Sequence, residues 1–118
     1  MKKRRYRATN VKQANWEKIA SVAAGQHMVF AVDVAKDDFF GALMMTDRSV
    51  IATIKWVHPQ QTREVGEHLL DLDTRNLEVV MEPSGTYGDA LRGYLTALGF
   101  AVYRVSPKRV HDAAEVYD

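Results

Sequence analysis

The chain has 118 residues, 47% of them apolar and 26% charged, with no cysteine and a formal net charge of +1. That balance describes one soluble globular domain and excludes disordered and fibrous classes, and the missing cysteines remove disulfides, thiolate nucleophiles and Cys-type zinc sites. The charge is unevenly spread, with +6 over residues 1–18 and −5 over the other hundred. A basic arm on an acidic body points to contact with a polyanion.

No apolar run reaches the roughly 18 residues that a membrane-spanning helix needs. The basic opening through Lys2, Lys3, Arg4, Arg5 and Arg7 leads into Asn10, Lys12 and Gln13 rather than an apolar core, so it does not read as a secretory signal. A cytoplasmic protein without a membrane partner is expected. Residues 1–26 read as a basic extension outside the main core, in which Trp16, Ile19, Ala20 and Ala23 can line one face of a short helix stopped by Gly25.

From His27 the pattern sharpens. Met28 to Val32 is a continuous apolar run ending in Asp33, as in a central strand buried on both faces. Phe39 to Met45 and Val50 to Val57 are two further strand-like runs, and the short connections predict antiparallel hairpins. Val65, Leu69 and Leu72 then recur at helical spacing. Leu77 to Glu82 is a fourth strand ended by Pro83. A helix follows, capped by Ser84 or Thr86, with Tyr87, Leu91, Tyr94, Leu95 and Leu98 inward and Gly99 as its stop. Phe100 to Val105 is the fifth strand, and Ser106-Pro107 opens a last helix carrying Val110, Ala113, Ala114 and Tyr117. The predicted order β-β-β-α-β-α-β-α over residues 27–118 gives an α/β fold. Its five-stranded mixed sheet with helices packed on it is the ribonuclease H-like arrangement.

Two carboxylates stand out in that order. Asp33 ends the first strand and Glu82 the fourth, and these strands are neighbours in such a sheet. Two anions about 4 Å apart repel by roughly 4 kcal/mol at an effective dielectric near 20. A shared proton, a basic neighbour or a divalent cation offsets that repulsion. Oxygen ligands favour Mg²⁺ or Mn²⁺, and a pair of such ions supports phosphoryl transfer. The plainer reading is two strand-end carboxylates facing water.

The segment Ala31-Val32-Asp33-Val34-Ala35-Lys36 resembles the opening motif of the DEDD-type transposases of the insertion sequence 110 family. Met81-Glu82-Pro83-Ser84-Gly85-Thr86-Tyr87 is similar to that family's second motif, and Val102 to Val110 to the strand and helix that follow. The resemblance covers residues 28–118. It implies a RuvC-like domain with four acidic metal ligands, a separate domain bearing a nucleophilic serine, DNA recombination that moves an insertion sequence, and a structured guide RNA. The first acid corresponds to Asp33 and the Glu to Glu82. No match to the motif of the last two is found, because Asp112 falls too early and Asp118 is the final residue. On this reading the domain is incomplete at its C-terminus and the chain catalyses nothing alone. Apolar surface left by the missing part would favour a homo-oligomer.

Other residues carry less. Lys36, Lys108 and Arg109, with Lys2, Lys3, Arg4, Arg5 and Arg7, are candidate contacts to nucleic-acid phosphates. Ser84 and Thr86 read as caps rather than nucleophiles, Tyr87 as core, and Asp37 and Asp38 as part of the hairpin. His27, His58, His68 and His111 share no i, i+4 pairing, so zinc is not expected. Two other readings compete: half of a sugar-kinase or actin-like ATPase, and a non-catalytic nucleic-acid-binding or assembly module. The stretch Val34-Ala35-Lys36-Asp37 lacks the glycine that the ATPase turn uses to approach phosphate.

Overall fold

A computed structural model describes residues 8–35, 38–81 and 87–104. Six strands and three helices are found among them: β1 (Thr9–Asn10), α1 (Trp16–Ala23), β2 (His27–Val34), β3 (Asp38–Met45), β4 (Val50–Val57), α2 (Thr62–Asp71), β5 (Asn76–Met81), α3 (Asp89–Ala97) and β6 (Ala101–Arg104). They form a mixed α/β sheet in the order β1-β4-β3-β2-β5-β6. The two expected hairpins are antiparallel, and β5 and β6 join through parallel pairings, each reached through a helix. None of these helices is long and apolar enough to cross a membrane.

Alternation along the strands sends one set of side chains to a single core. Phe30, Val32, Phe39, Leu43, Ile54, Trp56, Val79 and Met81 bury there with Val65 and Leu69 of α2 and Leu91 and Leu95 of α3. Phe30 stacks on Trp56 with ring centroids 6.0 Å apart, and Phe39 meets the same indole edge-on at 5.8 Å. Gly41 makes this packing possible. A Cβ at that position would run into the tip of the Phe30 ring.

Local chemistry fixes the ends of the elements. Asn15 caps α1 by accepting a hydrogen bond from the Lys18 backbone N–H at 3.1 Å. In the β3–β4 turn Arg48 takes the left-handed conformation, at φ 73°. There Asp47 accepts bonds from the Ser49 hydroxyl (2.6 Å) and backbone N–H (2.9 Å), which hold its carboxyl below the ordinary range. Gly99, at φ 100°, follows the C-cap of α3 as the sequence predicts.

Three expectations need correction. The sheet has six strands rather than five, because Thr9 and Asn10 pair in parallel with Ile54 and Lys55. Residues 8–26 do not stand outside the core. Val11, Ile19 and Ala23 are buried in the main cluster, and Trp16 stacks on His68 with centroids 4.3 Å apart. The expected helix through Trp16, Ile19, Ala20 and Ala23 is α1, and its inward face packs on the main core, whereas the two-residue β1 has no period of its own. Tyr87 is 52% exposed and precedes α3 instead of lining its inner face. The predicted last helix lies outside the described residues.

Candidate functional site

Asp33 is the next-to-last residue of β2, between Val32 and Val34, both of which bury in the core. Strand alternation therefore turns Asp33 to the opposite face of the sheet, where it is half-buried. β2 runs parallel to β5, and Val32 pairs with Met81, the last residue of β5. The two strands that the sequence reading makes neighbours thus lie side by side and end at the same margin of the sheet. Glu82, the second candidate acid, lies outside the described residues. So do Lys2, Lys3, Arg4, Arg5, Arg7, Lys36, Lys108 and Arg109.

Asp33 supplies hard oxygen donors, the type that suits Mg²⁺ or Mn²⁺. Among the described residues no group of three or more His, Asp or Glu side chains gathers to hold a metal ion. A site at Asp33 would take further ligands from outside that set, Glu82 first.

The described histidines have other partners. His27 lies 3.3 Å from Glu78 across the β2–β5 pairing, and His68 stacks on Trp16. His58 stacks on Phe39 at 4.6 Å and approaches the Thr62 hydroxyl at 2.6 Å through Nδ1. Trp56 Nε1–H donates to that hydroxyl at 3.2 Å; indole only donates, which leaves the Thr62 proton free for His58. Burial lowers the His58 pKa below its usual value.

The sequence reading did not single out Phe40 and Lys55, which share the face of Asp33. Asp33 pairs with Phe40, and Phe40 with Lys55. Their signal was present in β4, where Lys55 is a cation at an outward position between the inward Ile54 and Trp56.

No protein-family model matches the chain, and no curated protein matches it significantly.

Proposed function

We propose that the chain is the amino-terminal, ribonuclease H-like part of a metal-dependent DNA recombinase of the insertion-sequence transposase type. In the whole protein a structured RNA would guide it, and other segments would supply the remaining acids and the serine. One observation carries the reading: the parallel pairing of Val32 with Met81. Adjacent strands lie about 4.8 Å apart, and consecutive Cα atoms about 3.8 Å. Val32 and Met81, the residues that precede Asp33 and Glu82 in the chain, therefore lie about one strand spacing apart. Two carboxylates at one sheet margin are the elementary unit of a Mg²⁺ site for phosphoryl transfer. The three sequence motifs, each on or beside an element of this sheet, support the same reading.

The test is a Mn²⁺ titration by isothermal calorimetry on the 118-residue chain. Weak binding that disappears in both Asp33→Ala and Glu82→Ala is the expected result, with Asp33→Asn retaining part of it. Binding that is unchanged in both alanine variants would sink the proposal.

A further inference from the structure

His58 follows the last residue of β4, and Thr62 is the first of α2. The Thr62 hydroxyl is held between Trp56 Nε1–H at 3.2 Å and His58 Nδ1 at 2.6 Å, the two side-chain partners it has among the described residues. An indole N–H can only donate, so it occupies a lone pair of the oxygen and the hydroxyl proton goes to Nδ1. His58 Nδ1 is therefore an acceptor, and the neutral ring carries its proton on Nε2. Phe39, stacked on the ring at 4.6 Å, holds its plane. Thr62 is only 5% exposed, which puts its oxygen out of reach of a substrate and excludes a nucleophile–base pair.

A proton on His58 removes the acceptor from this chain of bonds. Nδ1–H and the indole N–H then point at one oxygen and the buried Thr62 proton loses its partner, a conflict that opening of the turn relieves. Among the described residues His58 has no ion pair to offset it. The charged groups on the elements packed against it are Asp38 of β3, exposed and opposite Val57, Lys55 of β4, turned to the other face, and Arg63 and Glu64 of α2. Glu64 is already engaged by Lys12 at 3.0 Å. Burial lowers the His58 pKa, the direction that a ring held as an acceptor requires. The same turn also holds β1. Gln61, just before Thr62, accepts from the Val57 N–H at 2.9 Å and exchanges two side-chain bonds of 3.2 Å with Asn10.

We infer that Trp56, Thr62 and His58 form a proton-operated latch on the first turn of α2, closed while His58 is neutral and opened by its protonation, and that opening slackens the hold of Gln61 on β1. Closed and open are two states of one local element, and protons favour the open one because only there does Nδ1 carry a hydrogen without a second donor facing it. The latch therefore holds above the ordinary histidine value of about 6.5 and gives way as pH falls from there through the folded value. None of its residues belongs to the Asp33 margin, so its outcome is independent of the metal reading.

Proton–nitrogen NMR of the 118-residue chain tests this, with Trp16→Phe used to assign the two indole signals. Neutral His58 should be the Nε2–H tautomer, and the Trp56 indole N–H resonance should shift in step with the titration of His58. Amide protection of Val11, bonded to the Lys55 carbonyl at 2.9 Å, and of Val57 should fall between pH 7.5 and 5.5, while that of Phe30 and Val32 in the central strand holds. His58→Phe keeps a ring against Phe39 and should abolish both pH responses. Thr62→Ser should preserve them, and Thr62→Val should remove the indole response. An Nδ1–H tautomer in the neutral wild type, an indole resonance indifferent to the titration of His58, or the same pH responses in His58→Phe would overturn the latch. Undiminished protection of Val11 and Val57 would overturn its coupling to β1. The tautomer and the indole titration are read on the wild type and need no variant that folds.

Discussion

On the helical side of the sheet Phe30, Val32, Phe39, Ile54 and Trp56 are almost wholly buried, whereas Val29, Asp33, Phe40, Thr53 and Lys55, which the same strands turn to the other side, are half-buried or exposed. One face is an apolar interior closed by α2 and α3. The other mixes aliphatic, aromatic and charged groups in registered rows. Burial of hydrocarbon is non-directional and makes the first face interchangeable in detail, provided volume is kept. A charged group on the second face has no such latitude, because its position in the row decides what it can meet. Stability therefore resides mainly on one side.

The largest expected effect lies on the interior side. Phe30→Ala should cost about 3–5 kcal/mol in urea denaturation, and Phe40→Ala in the same pair of strands roughly half of that or less. Equal losses would break the contrast between the faces. Next comes Gly41→Ala. The added methyl would enter the space of the Phe30 ring, which Trp56 backs, and should cost about 1–3 kcal/mol. Gly41→Ala in a Phe30→Leu background should cost less, a coupling measurable by a double-mutant cycle.

The smallest effect is a pH dependence. Burial lowers the His58 pKa in the fold, so the unfolded state binds the proton more readily. Stability from the neutral ring is present above the unfolded value near 6.5 and is lost as pH falls from there through the folded value. The urea midpoint should therefore drop between pH 7.5 and 5 by more in the wild type than in His58→Phe, which keeps the ring against Phe39. Equal drops would show that His58 titrates as it does in the unfolded chain.

Much of this division could be read from residue order. Val50 to Val57 is β4 at both ends, and Leu91 and Leu95 bury as their helical spacing predicts. The neighbour relation of the first and fourth predicted strands was legible because short hairpins leave only one side of the first strand free for a returning parallel strand. What stayed hidden depends on cross-strand register. That Asp33, Phe40 and Lys55 share a row follows from which residue opposes which, and no local pattern encodes it. The short β1 was hidden for a related reason, since two residues opposite Ile54 and Lys55 have no periodicity of their own. For the acids, the sequence supplied candidates, and the pairing of Val32 with Met81 brings together the residues that precede them.

The stack of Trp16 on His68 extends beyond packing. It fastens a segment that is also tied by the two residues of β1, the Asn10–Gln61 side-chain bonds, the Lys12–Glu64 ion pair, the backbone bonds of Val11, Gly25 and Gln26, and the buried Val11, Ile19 and Ala23. Attached along the edge strand β4 and to α2, the segment is the unit expected to open before the central strands, the behaviour native-state hydrogen exchange resolves. With its own indole at the seam and Trp56 deep in the interior, the molecule carries two separate fluorescent gauges, one for loosening of its leading segment and one for collapse of the whole.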